Sequence, residues 1–318
     1  MNSSGVEAAD LLVRARTVLL DALDALHEHF DAIIVIGAQA VYLRTGGIDV
    51  ALAEATKDSD VAIDPRLLAD DPRLEAAMRA AGFLPSVNGQ PGAWMSPGGI
   101  PVDLMVPESL AGTGTRGARI PPHDSKATRR ARGLEAALVD FDVLEVAALD
   151  PDDHRVIKVK VAGAAALLVA KLHKIAERVD TPRRLIDKDA HDAYRILRAI
   201  ETDALSSAFT VLLADGLSEG ATREALDYLA ELFAAGPEAT GAMMAGRAEE
   251  AVGDPAQVSA AVAILSGDLL DALTKQMIKR LAVESTEASF ELEGRNVAED
   301  FVRSPKIERF LAERRSRM

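Results

Sequence analysis

The chain has 318 residues, 48% of them hydrophobic and 27% charged, and contains no cysteine. This length suits two average domains, the ordinary composition excludes disorder and collagen, and the missing thiols exclude disulfide scaffolds, cysteine nucleophiles and thiolate zinc sites. The net charge of −14 is concentrated in residues 199–301, with 19 acids and 6 bases, so segments 113–133, 151–198 and 302–318 are locally basic and keep a polyanionic partner open.

In chain order, Glu7 and Asp10 followed by Arg14, Arg16, Asp21 and Asp24 argue against an export signal. The apolar stretch 161–170 is about half of the roughly 20 residues that cross a bilayer, so a cytoplasmic protein without a membrane span is expected. Residues 8–30 place Leu11, Leu12, Ala15, Val18, Leu19, Ala22 and Leu26 at helical spacing. The run Ile33-Ile34-Val35-Ile36 then predicts a buried strand ending in a tight turn at Gly37-Ala38. A helix is expected from Gln39 to Leu43, a strand over 58–63 closed by Asp64-Pro65, and a helix over 66–81 ending at Gly82.

Segments 93–95 and 100–106 flank Ser96-Pro97-Gly98-Gly99, which predicts a hairpin. Gly112, Gly114, Gly117, Pro121 and Pro122 make the basic segment 113–133 read as a mobile loop. Two more strands are expected over 139–146 and 155–161. From Gly163 onward helical periodicity takes over, broken near Thr181-Pro182, Gly216, Gly236-Pro237, Gly253 to Pro255 and Gly294. The expected organisation is a mixed α/β domain over 1–162 followed by an all-helical domain over 163–318.

Asp58 and Asp60 stand two positions apart in the predicted strand, so both carboxylates leave one face and can hold a hard cation. Asp103 lies between Val102 and Leu104 in what should be a buried strand, where a carboxylate requires a cation or hydrogen-bond donors. Three carboxylates on neighbouring strands can position two magnesium ions for in-line displacement on a nucleoside triphosphate. A glycine at a strand end lets a backbone amide approach a phosphate. The six histidines lack HxxxH and HExxH spacing, so no zinc site is expected, and Ser59 lacks the context of a nucleophile. Trp94, Tyr42 and Arg44 read as pocket-lining or as packing residues.

The order Gly37-Ala38, Asp58-Ser59-Asp60, Asp103 resembles the DNA polymerase β-like nucleotidyltransferase superfamily, with Ala38 where Gly or Ser is usual. Lys171-Leu-His-Lys-Ile-Ala-Glu-Arg178 and Asp187-Lys188-Asp189-Ala-His-Asp192 are similar to the later motifs of its AbiEii/MenT branch, the nucleotidyltransferase toxins of toxin-antitoxin systems. Lys174 replaces an alanine of that pattern, and Ile186 stands where an arginine is expected, with Arg183 and Arg184 nearby. The resemblance implies a polymerase β-like mixed sheet with flanking helices and a magnesium-dependent reaction. It assigns the metal to Asp58, Asp60 and Asp103, and nucleotide contacts to Gly37, Ala38, Thr56 and Arg178. Lys171 and Asp189 complete the implied catalytic set, Lys171 as a point charge for the triphosphate and Asp189 as its anchor or a nucleotide contact. An amphipathic helix with a basic face, and helix capping by Asp189 and Asp192, are the structural alternatives.

The leading expectation is transfer of a nucleoside monophosphate from an NTP, with CTP or another pyrimidine as donor, to the 3′ end of tRNA. Arg129, Arg130 and Arg132 would contact the acceptor. A cognate antitoxin is an expected partner, and DNA is not. The alternatives are an aminoglycoside- or lincosamide-type small-molecule nucleotidyltransferase, for which the acidic region would suit a cationic acceptor, and a catalytically silent interaction protein.

Overall fold

The computed structural model describes residues 3–46, 59–250 and 253–292. Its first helix, α1 (Ser3–Ala25), buries Ala15, Val18, Leu19 and Ala22 of the stripe read from the sequence, together with Leu20 and Leu23, and passes through a 3₁₀ turn (His27–Ala32) into β1 (Ile33–Ile36). All four β1 residues are buried, as expected of a β-branched run covered on both faces. α2 (Gly37–Thr45) follows without a linker, and β2 (Ser59–Ile63) returns antiparallel to β1. Then come α3 (Leu74–Ala80), the short β3 (Leu84–Pro85), β4 (Ala93–Met95), β5 (Pro101–Pro107), β6 (Arg129–Ala131), β7 (Phe141–Ala147) and β8 (Val156–Ala162).

These strands form one mixed sheet in the order β3-β4-β5-β2-β1-β8-β7, with β6 also paired to β5. β4 and β5 make the expected hairpin, its turn closed by Ser96 N donating to Ile100 O at 2.9 Å and Ile100 N to Ser96 Oγ at 3.0 Å. β4 covers the first half of one edge of β5, and β6 runs parallel to the second half. Gly92 stands at that junction with φ +74°, and a Cβ there would meet Arg129 N and Leu104 O at 2.5 Å. Glycine is therefore required both by conformation and by space.

Beyond Gly163, the chain is helical where it is described: α4 (Ala164–Ala176), α5 (Asp187–Ala199), α6 (Thr202–Ala214), α7 (Glu219–Leu229) with a π turn over Ala230–Ala234, α8 (Thr240–Arg247) and α9 (Pro255–Leu292). An N-terminal mixed sheet with helices followed by a helical region is the α/β class expected. One apolar cluster unites the sheet with α4 to α8 and the start of α9, from Leu19 through Val35 and Leu168 to Leu273. Compactness divides the chain at Leu273 and Thr274, so the change of architecture at Gly163 falls inside the first unit. In the second unit, residues 274–292 continue as helix and expose Met277, Ile278 and Leu281.

Several expectations are corrected. Segment 66–81 is helical only over Leu74–Ala80, because Pro72 has no amide to donate and the preceding residues form turns. The basic segment read as a mobile loop is tied to the sheet. Gly92 N donates to Lys126 O at 2.9 Å, Trp94 Nε1 to Ala127 O at 2.9 Å and Ala118 N to Thr128 O at 3.1 Å, and the segment ends in β6. The apolar stretch 161–170 is split between β8 and α4. Pro255–Val283 is the one helix among the described residues long and apolar enough, by length and composition, to cross a membrane; its most apolar 18-residue window has mean hydropathy 1.4, and a third of that window is buried.

Candidate functional site

Strand alternation builds the centre of the site. Ser59 is fully buried and donates to Ala15 O of α1 at 3.0 Å, so Asp60 leaves the opposite face of β2. Asp60 is the Cα partner of Ile36 on β1 and of Asp103 on β5. The two carboxylates are thus neighbours on one face, beside the end of β1 where α2 begins. Gly37 is the first residue of α2, with φ +69°, and a Cβ there would collide with the Asp60 carboxylate. The N-cap residue, Ile36, offers no side-chain acceptor, so the first amides of α2 are uncapped by side chains beside Asp60.

Asp103 was expected to be buried and in need of a cation. Its side chain is instead 21% exposed, and the donor that answers it is Arg129 of β6, whose Nη2 lies 2.9 Å from Asp103 Oδ2. Asp58 and Thr56 lie outside the described residues. Among those that are described, no group of three His, Asp or Glu side chains forms a metal cage. Asp60 and Asp103 nevertheless fit a hard divalent cation: they offer oxygen donors from adjacent strands, and the missing Cβ of Gly37 leaves the space that the Asp60 carboxylate occupies.

Gly37→Ala tests this packing. A non-glycine residue at φ +69° costs about 1–2 kcal/mol, and the added methyl must displace Asp60. The expected result is a modest loss in denaturant midpoint together with a loss of Mn²⁺ affinity in a calorimetric titration; unchanged Mn²⁺ binding would separate Asp60 from the cation.

Asp60 and Gly37 open into a cleft with a cavity volume of about 80 Å³ that continues into solvent. Its walls carry five cations, Arg129, Arg132, Lys171, Lys174 and Arg178, against two acids, Asp60 and Glu177. The sequence around the end of α4 explains the cationic wall: Lys171 and Lys174 of the helix, and Arg178 in the turn that follows it, recur at three- and four-residue spacing. One residue of α5 gathers them. Asp189 accepts from Lys171 Nζ at 2.9 Å and Lys174 Nζ at 2.9 Å, with Arg178 Nη1 at 3.5 Å. Asp192, one turn on, takes Lys171 Nζ at 2.6 Å.

Burial alone would lower the Lys171 ammonium, but Asp192 and Asp189 override it and hold it above the usual lysine range. Burial would likewise raise Asp189, but Lys171 and Lys174 hold it well below the usual carboxylate range. Lys171 and Asp189 are therefore both ionised at neutral pH. The cluster is a preformed cationic wall suited to a polyphosphate.

Other expected site residues have different roles. Ala38 is buried next to Gly37. Arg44 donates to Val161 O at 2.6 Å and Ala162 O at 2.9 Å and pairs with Asp142, tying α2 to the sheet. Trp94 is buried and anchors the basic segment through Ala127. Tyr42 packs under Arg195 and Lys188, with its phenol pushed up to about 12 by burial and by Asp192.

The three arginines expected to bind an acceptor are largely engaged within the protein. Arg129 holds Asp103, Arg130 donates to the Gly114 and Glu108 carbonyls, and Arg132 bridges Glu224 and Glu108. Lys174 was passed over as a departure from the resembled motif. Its spacing of three from Lys171 was the signal that placed it on the cleft.

Compared with protein-family models, curated proteins and solved structures, the chain matches none.

Proposed function

We propose that the protein is a magnesium-dependent nucleotidyltransferase that moves a nucleoside monophosphate from an NTP to the 3′ end of tRNA, as the toxin of a toxin-antitoxin pair. One observation carries the reading. Asp60, with Asp103 beside it on the adjacent strand, meets an uncapped helix N-terminus on a cleft whose other wall carries Lys171, Lys174 and Arg178. The acceptor and the toxin role rest on the resemblance of the motifs, and on the basic segments that adjoin the cleft.

In the reaction, an acceptor hydroxyl oxygen attacks the α-phosphorus, the bond from that phosphorus to the bridging oxygen breaks, and pyrophosphate leaves with that oxygen. Asp60 and Asp103 would hold magnesium, which when bound lowers the charge on the triphosphate and favours the ionised hydroxyl. The cations of α4 hold the β- and γ-phosphates and stabilise charge accumulating on the leaving pyrophosphate. Asp189 positions Lys171 and Lys174 and keeps them charged. The α2 amides supply neutral donors to a phosphate oxygen near Asp60.

The test is incubation with magnesium, each labelled NTP in turn and total tRNA. Label on the tRNA 3′ end that depends on Asp60 is the expected result. Label transferred to a small cationic acceptor in place of RNA would reassign the substrate, and failure to bind any NTP would remove the reading.

A further inference from the structure

A second cleft adjoins β6, and nothing in the reaction described above uses it. It has a cavity volume of about 630 Å³, opens to solvent and shares Arg129, Ala131, Arg132 and Glu177 with the first cleft. The two clefts therefore adjoin along β6. Three segments add new walls: Asn88 to Pro91 between β3 and β4, Thr115-Arg116 in the tied basic segment, and Arg184 of the 3₁₀ turn Pro182–Arg184.

Its charges fall into two sets. Arg129, Arg130 and Arg132 are held by Asp103, Glu108, Glu224 and backbone carbonyls. Arg116 and Arg184 are exposed, and among the described residues neither side chain has an ion-pair or hydrogen-bond partner. The two acids on the walls, Glu108 and Glu177, do not balance five arginines. The cleft thus presents two unengaged guanidinium groups beside a fixed cationic strand. Among the described residues, no aromatic ring lines it.

We infer that this second cleft is the entry path for the acceptor as a single-stranded polyribonucleotide end. Arg116 and Arg184 hold its phosphates, and the terminal nucleotide passes along β6 into the first cleft. The assignment rests on the transferase reading for its direction, and on the structure alone for its charge and its position beside the first cleft. Without stacking platforms, affinity comes from phosphate contacts, so binding is sequence-tolerant and steeply salt-dependent. Asn88 and Gln90, both exposed, offer amide groups to the edges of a base.

The experiment uses the full-length protein, a fluorescently labelled 12-nucleotide single-stranded RNA and a blunt RNA duplex of the same sequence, with anisotropy read over a range of salt. The expected result is preference for the single strand. For R116E/R184E the expected loss is at least tenfold, with a salt slope shallower by about 1.4, at about 0.7 per phosphate contact. NTP affinity measured by calorimetry should be unchanged. Arg79→Glu, an equal change of sign at an exposed position outside both clefts, should leave RNA binding intact. Equal losses from Arg79→Glu, or an R116E/R184E variant that binds RNA like the wild type, would overturn the path. RNA binding lost in R116E/R184E, in a protein that binds no NTP, would sustain the path as an RNA site and remove the transferase reading instead.

Discussion

Replacing Asp60 with Asn should lower nucleotidyl transfer by about a hundred- to a thousandfold, the range for deleting one preorganised electrostatic contact to a transition state, while leaving the fold at least as stable. The two halves of this expectation have different origins. Asp60 and Asp103 are Cα partners in parallel strands, so two carboxylates stand side by side on one face. Arg129 answers Asp103, whereas Asp60 lies against the bare Cα of Gly37. Adjacent like charges across a strand pair cost a few tenths to about 1 kcal/mol, and Asn removes that repulsion at nearly constant volume. A structural carboxylate would behave in the opposite way. Initial rates at saturating NTP, read beside thermal melts in EDTA and in Mn²⁺, make the comparison. The wild type should gain stability from Mn²⁺ by mass action, and Asp60→Asn should not. A lowered melting point with transfer retained would make Asp60 a packing residue.

Asp103→Asn should differ from Asp60→Asn in stability even where it matches it in activity. Its side chain and that of Arg129 are 21% and 27% exposed, so the ion pair is only partly screened, and its loss leaves the guanidinium without that carboxylate. That contrast is a consequence of β6, which the sequence reading missed. A three-residue strand of Arg129, Arg130 and Ala131 has neither apolar alternation nor a turn of its own; what makes it a strand is the half-edge of β5 left open because β4 begins only at Ala93, opposite Asp103. Pairing of that kind is set by tertiary context. Local pattern, by contrast, was sufficient for β1, whose four apolar residues need cover on both faces, and for the Ser96 to Gly99 turn, which the side chain of Ser96 closes.

The same distinction explains the site. The helical spacing of Lys171, Lys174 and Arg178 was readable, and so was the alternation around Asp60. That one α5 residue, Asp189, would collect all three cations depends on how α4 and α5 cross, which no local pattern carries. The basic segment was misjudged for a related reason. Glycine and proline mark where a chain turns, but whether the turns are fixed depends on partners such as Gly92 N and Trp94 Nε1, which are supplied from the distant hairpin region and donate to Lys126 O and Ala127 O. Counting arginines likewise could not separate Arg132, spent on Glu224 and Glu108, from Arg116 and Arg184, which are unengaged.

Lys171→Met should destabilise the fold by about 3–5 kcal/mol, the range for breaking a buried ion pair from one side. Lys171 is 6% exposed, and its ammonium lies between Asp189 and Asp192. Asp189 would keep Lys174 and Arg178, but Asp192, 1% exposed, would lose the ion-pair partner it has among the described residues. The pH dependence gives a signed check. In the wild type, Asp189 is held below its ordinary value, so its contribution is present above about pH 3.9 and is lost as pH falls through the folded-state value. Lys171 is held above its ordinary value, so its contribution is present below about pH 10.4 and is lost only as pH rises through its folded-state value. The cluster therefore makes wild-type stability insensitive to pH across the neutral range. Adding Asp192→Asn to Lys171→Met removes the stranded charge and should recover a large part of the loss, a coupling that denaturant melts of the four-protein cycle read directly. If Lys171 serves only the fold, the recovered double variant should bind NTP like the wild type. If its ammonium faces the triphosphate, that variant should be stable and still fail to hold NTP, because Met supplies the volume of Lys171 without its charge.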